Sequence, residues 1–447
     1  MQKITQQERE TAHELVDFIA ECPSMFHTAQ AACARLDAAG FTHLPESHAW
    51  DVAPGGRYYT TRNGSSVIAF AVGERALDNR DAFHFQLAAA HADSPTFKVK
   101  SVPELEGPEG YVRLNVEAYG GMIDYTWFDR PLSLAGRVLV RNGAKIESRL
   151  VALDEDVALI PSLAVHLNRA VNDGFAPNRA IDLCPLFSAG EFDAGAFDDM
   201  LAQELGVEPG QILARDLFLY SRQKGCVWGA ADEFVSSPKL DDLMCAFASL
   251  KAFLAAKNDV CVKVWCCFDN EEVGSNTKQG AMSTILRDTL ERACEGLGLS
   301  REDYHRAVAQ SMLVSCDNAH AIHPNRTEKY DAGNRCRLNG GIVIKEAANQ
   351  HYCTDAFSRA VFAAVCDDAG VPYQTFANKS DQAGGSTLGN LSNTQVSMHA
   401  VDVGCPQLAM HSSYETSGVR DASLAIAALT AFYEADIRID GAQGATL

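Results

Sequence analysis

Basic residues are scarce in this chain of 447, where 38 Lys and Arg face 58 Asp and Glu for a net charge of −20. A surface that acidic repels phosphate backbones and anionic lipid heads, which argues against nucleic-acid and membrane partners. No basic patch offsets it, since Lys98 and Lys100 stand alone. Long apolar runs are missing too. Val151 to Leu167 and Ala422 to Tyr433 are interrupted by polar residues or too short to span a bilayer. Met1 to Glu10 contains no apolar core before a small-residue cleavage site, so no secretory leader is read there. The 14 cysteines include no Cys-x-x-Cys pair, which argues against zinc ribbons and thioredoxin-like redox sites. Cys245, Cys261, Cys294 and Cys366 sit in apolar runs and read as small buried hydrophobes, so a reducing, cytoplasmic setting is expected. Serine-hydrolase elbows, His-Glu-x-x-His helices and Gly-Lys phosphate loops are also absent.

What is present is material for a large core, with 47% hydrophobic residues against 21% charged. Helical spacing marks Glu8 to Ala20 and Met25 to Ala39, the second stopped by Gly40. Arg57 to Thr61 and Ser65 to Val72 flank Arg62-Asn63-Gly64, a hairpin signal, and Phe83 to Ala90 reads as a buried strand. From Thr96 to Ser236 helical periodicity fades, and Tyr111 to Val116, Leu132 to Arg141 and Lys145 to Ala152 look like strands. Beyond Pro238 strands and helices alternate, ending in a helix over Ser417 to Ala435. The expected fold class is therefore α/β, a mostly parallel sheet covered by helices on both faces. Residues 1–94 plus 235–447 form that domain, and 95–234 form an inserted β-rich one.

Acidic and histidine residues gather at the ends of the expected core strands, where open α/β sheets bind ligands. Phe83 to Ala90 runs into His91-Ala92-Asp93, whose alternate residues share a face, so Asp93 can orient the His91 ring. Val260 to Phe268 runs into Asp269-Asn270-Glu271-Glu272, a like-charge crowd that a cation relieves and that lifts a carboxyl toward general-base range. Asp317 follows Met312 to Cys316, His411 follows Val401 to Met410, and Asp241 precedes a helix. A solvated acidic loop and an N-cap are the plain alternatives for Glu272 and Asp241. Together, His91, His411, Asp241, Glu272 and Asp317 suit two divalent cations sharing a carboxylate, with zinc, manganese or cobalt fitting the donor set. Glu271 is then free to deprotonate a water between them.

These motifs resemble the aspartyl aminopeptidase family of dinuclear zinc aminopeptidases. The likeness rests on His91-Ala92-Asp93-Ser94-Pro95, Phe268 to Ser275, Asp317 to Asn325 and Leu408 to Ser412. Tyr119-Gly120-Gly121, Thr126 to Arg137 and Ile160 to Arg169 extend it into the insertion, and it spans Phe18 to Phe432. The resemblance implies that Asp241 bridges two zinc ions, His91 and Asp317 completing one site and Glu272 and His411 the other. It makes Asp93 the orienter of His91, Glu271 the general base, and Asp241-Asp242 a cis peptide. It also implies a homododecamer in which the insertion serves assembly or acts as a lid, with His166 reaching a neighbour's site to hold substrate. The implied substrates are short peptides with a free N-terminus, an acidic first residue being met by Lys345. The loop Lys379 to Thr387 departs from the animal members and leaves neutral first residues as an alternative. A related zinc amidohydrolase and a non-catalytic scaffold are the competing readings.

Overall fold

The structure, a computed structural model, describes residues 3–192 and 195–447. Its centre is a nine-stranded sheet whose four middle strands are Val262–Phe268, Phe85–His91, Met312–Cys316 and His399–Gly404, all parallel. Ser66–Val72 joins antiparallel on one side and Ile342–Glu346 on the other. Parallel strands buried on both faces lack polar alternation. Phe85–His91 is accordingly buried at every residue. Leu87 and Ala89 pack with Val264, Cys266 and Leu313 beneath the helices Ile285–Gly296 and Arg301–Ala309. Ala88 and Ala90 pack with Trp265, Cys267 and Val314 beneath Leu240–Ala255 and Asp421–Glu434. Each large apolar side chain placed there contributes about 1.5–3 kcal/mol relative to exposure.

Pairing fixes the strand ends. Phe268 lies opposite His91, Ser315 opposite Ala89 and Cys316 opposite Val403, so the carboxyl ends of the middle strands form one rim. Residues just beyond those ends therefore converge.

A second, six-stranded antiparallel sheet is built from strands within residues 96–221 and has its own core around Phe97, Leu134, Leu217 and Leu219. It carries the helix Ala196–Leu205, which the fading periodicity hides. A third, five-stranded sheet pairs Phe234–Ser237 with Glu415–Gly418. That pairing shortens the last helix, which begins at Asp421 rather than Ser417 because residues 415–418 are extended. No helix among the described residues is long and apolar enough to cross a membrane.

Candidate metal centre

The rim collects seven of the expected site residues. His91 ends its strand, and Asp93 follows in the turn. Glu271 and Glu272 occupy a single 3-10 turn after Val262–Phe268, entered through Asn270 at φ 65° and left through Gly274 at φ 92°. Asp317 follows Met312–Cys316, its amide donating to the Val403 carbonyl at 2.9 Å. Asp241 lies in the non-helical entry to the helix Leu240–Ala255, and its peptide bond to Asp242 is cis. His411 lies in the turn before Glu415–Gly418 with φ 66°. Lys239, Asn270, Ser275, Ala409 and His411 all hold left-handed backbone, a concentration of strain typical of functional sites.

Asp241 is the hub. Its Oδ1 lies 3.5 Å from His91 Nε2, and its Oδ2 lies 3.5 Å from His411 Nε2. Glu272 Oε2 sits 3.4 Å from the same His411 nitrogen. Donor atoms of His91, Asp241 and Glu272 lie within 4.8 Å of one another, as do those of His91, Glu271 and Asp317. His91 Nδ1 hydrogen-bonds the Asp93 carbonyl at 3.0 Å and lies 3.4 Å from Asp93 Oδ1, which leaves Nε2 facing the cluster.

The electrostatics call for added positive charge. Burial alone would lower the His91 pKa, yet Asp242, Asp241 and Asp93 outweigh it and raise it well above the usual range. Burial also works against a charged His411, but Asp241 and Glu272 lift it to about 10. Burial pushes Glu271 up to about 8 and Asp317 to about 6, with neighbouring carboxylates adding to both. Asp241 moves the other way: burial would raise it, but the His411 and His91 rings hold it well below the carboxylate range. Asp241 Oδ1, Asp242 Oδ1 and Glu272 Oε1 are buried without a hydrogen-bond partner. Orphaned carboxylate oxygens in low dielectric cost several kcal/mol unless a cation or donor meets them. The mixed nitrogen and oxygen donor set fits zinc, cobalt or manganese.

The two remaining expected residues differ: Lys345 touches the cluster from behind through Asp317, and His166 does not reach it. Lys345 is buried in the strand Ile342–Glu346, between His399–Gly404 and Tyr373–Ala377. Its ammonium donates to the Asp317 carbonyl at 2.7 Å, to Asp317 Oδ1 at 3.4 Å and to the Asn318 carbonyl at 3.3 Å. His166 is exposed on the insertion, and no hydrogen bond or ion pair among the described residues ties it to the cluster.

The family assignment follows from comparison. A family described as "Aminopeptidase I zinc metalloprotease (M18)" matches residues 18–433. The chain belongs to this M18 family. A "Probable M18 family aminopeptidase 2" of Clostridium novyi is 43% identical over 428 residues, covering 94% of this chain and 98% of that protein. Its counterpart in Pseudomonas aeruginosa is 42% identical over 428 residues, covering 94% of this chain and 97% of its own length. The chain also overlays the cryo-EM structure of the Ape4 and Nbr1 complex with a TM-score of 0.92 at 34% identity, covering 97% of this chain and 88% of that one. The Saccharomyces cerevisiae mApe1 dodecamer gives 0.85 at 28% identity, with coverage of 96% and 98%. The protein is thus an M18 zinc aminopeptidase.

Its M18 site includes residues that motif reading misses. Glu415 is buried, and its carboxylate accepts the Asp241 amide at 2.9 Å and the His411 amide at 2.7 Å. Asn318 donates to the Leu240 carbonyl at 2.8 Å, fixing the turn that presents Asp241. Glu415 lies four residues beyond His411 and just ahead of the helix expected from Ser417, and no motif marks it.

Proposed function

We propose that the protein is a dinuclear aminopeptidase that removes the first residue of short peptides, with acidic first residues preferred, in the cytoplasm. The observation that carries this reading is the placement of Asp241, whose two oxygens each face a different histidine. His91 and Asp317 would hold one divalent cation, Glu272 and His411 the other, with Asp241 between. Such a pair, when bound, supplies a water of lowered pKa and offsets charge on the scissile carbonyl.

The chain's own residues do the rest. Asp93 fixes the His91 ring. Glu271 takes the proton of the attacking water at its carboxylate and returns it to the leaving amine nitrogen. The acidic wall favours the free α-ammonium group of a peptide, which confines cleavage to the first residue.

We read residues 1–94 plus 235–447 as the catalytic domain and 95–234 as an assembly or lid domain. Leu163, Val165 and Leu167, beside His166 in the chain, and Phe175 and Ile181 further along are exposed on the insertion, which supports packing against further copies. In a homododecamer His166 would reach a neighbour's site and hold substrate there.

A second reading, the same chemistry with neutral first residues, draws on Lys345. Its three donors meet acceptors of its own chain, so it orients Asp317 while offering an incoming side chain only its field. Release of the first residue from matched peptides headed by Asp, Glu or Leu separates the two. Faster Asp or Glu release is expected, and faster Leu release establishes the second reading. No release with zinc, cobalt or manganese overturns both.

A further inference from the structure

The hydroxyl of Tyr119 comes from the inserted sheet yet ends inside the metal centre. Tyr119 closes the strand Val112–Tyr119 and donates to Asp93 Oδ2 at 2.7 Å. The direction of that hydrogen bond is set by its surroundings. Thr277 Oγ1 and Gln279 Nε2 both donate to Asn270 Oδ1, at 2.9 and 2.7 Å. The Asn270 amide nitrogen must then face the other way, and it donates to the Tyr119 oxygen at 2.7 Å. With its oxygen already accepting, the phenol turns its own proton to Asp93. Burial, Asp93 and Asp269 keep that phenol protonated far above its ordinary range, so it remains a donor.

Asp93 has no slack. Its Oδ1 accepts the Glu271 amide at 3.1 Å and lies 3.4 Å from His91 Nδ1. Its Oδ2 accepts the Glu272 amide at 3.2 Å as well as Tyr119. A carboxylate offers about four acceptor positions; the two amides and Tyr119 fill three, and His91 Nδ1, hydrogen-bonded to the Asp93 carbonyl, stands beside the fourth. The residues after it continue the clasp. Gly120, at φ +78°, lies so close that an added Cβ would stand 3.1 Å from Glu272 Cβ. The Ile123 amide donates to the His411 carbonyl at 2.9 Å, and Thr126 Oγ1 accepts the Ser413 amide at 2.9 Å.

We propose that Tyr119 is a positioning residue of the metal centre: through Asp93 it fixes His91 and the turn bearing Glu271 and Glu272, so the inserted sheet completes a site that the catalytic sheet alone leaves loose. This rests on the cation-binding reading above. It makes cation affinity depend on docking of the insertion, and docking on cation occupancy.

The test is zinc titration of metal-stripped, full-length protein against a chelating dye. Tyr119→Phe keeps the ring, which meets Phe218 edge-on at 5.5 Å, and removes only the hydroxyl. Its zinc affinity should fall about 10-fold, the lower end for loss of a group that orients a ligand. Tyr220→Phe is the matched control, since that hydroxyl donates to the Leu153 carbonyl at 2.6 Å away from the cluster. It should leave affinity unchanged. Wild-type affinity in Tyr119→Phe, or an equal loss in Tyr220→Phe, overturns the proposal. Failure of the unsubstituted protein to bind zinc would instead remove the proposed function and this inference with it.

Discussion

The two large sheets treat charge in opposite ways. In the insertion, Asp216 accepts Lys98 at 2.8 Å and Arg137 at 2.9 Å across the sheet, and in the turns around it Arg179 pairs with Asp124 and Arg222 with Asp154. Such half-exposed pairs are worth little and need no ligand. At the rim of the parallel sheet, Asp241, Asp242 and Glu272 are buried with oxygens that nothing in the chain satisfies. Paired charge on the inserted sheet is already compensated, whereas the unsatisfied carboxylate oxygens at the carboxyl ends of the parallel strands are suited to a cation. On the proposed reading, the chemistry belongs to one sheet, and positioning and assembly belong to the other.

Substitutions should break this contrast unequally. The largest effect is expected from Asp241→Ala, which removes both oxygens of the hub; metal analysis should find its cations lost and peptide release abolished. Glu271→Gln comes next. It should keep its cations while kcat falls about 10²–10⁴-fold, the usual contribution of general acid–base catalysis. Near-normal turnover in that variant would unseat Glu271 as the base. Glu415→Gln removes one of the two oxygens that receive the Asp241 and His411 amides, and zinc affinity should weaken about 10-fold or more in a dye competition.

Acidity offers a finer probe. In the cation-free cluster His91 and His411 are raised and Asp317 stands at about 6, so protons occupy positions that a cation must take. Cation binding then releases protons, and apparent affinity should climb between pH 6 and 9. Calorimetry in buffers of different ionisation enthalpy counts them, and a flat profile would show the cluster already free of protons. The smallest effect belongs to the inserted sheet. Lys98→Met should cost about 0.2–1 kcal/mol in thermal unfolding and leave cation affinity alone.

The catalytic sheet was legible because buried parallel strands write themselves as continuous apolar runs, and charge just after such a run is conspicuous. Phe85–His91 and Val262–Phe268 were readable in this way, and with them His91, Asp93, Glu271 and Glu272. Glu415 and Tyr119 were not. Each acts through hydrogen bonds to residues far away in the chain, Asp241 and Asp93, and no local pattern records such a partner. The inserted helix Ala196–Leu205 hid for a related reason, since only Phe197, Leu201 and Ala202 are buried and the stripe is short. Lys345 shows the converse. The resemblance offered it to an acidic first residue, and the structure shows it buried in the sheet with Asp317 as its charged partner.

The central claim is that Asp241 sits between two cations. Anomalous diffraction at the zinc edge from crystals grown with zinc tests it most directly. The account predicts two peaks, one between Asp241, His91 and Asp317 and the other between Asp241, His411 and Glu272. A single peak, or peaks away from Asp241, would contradict it.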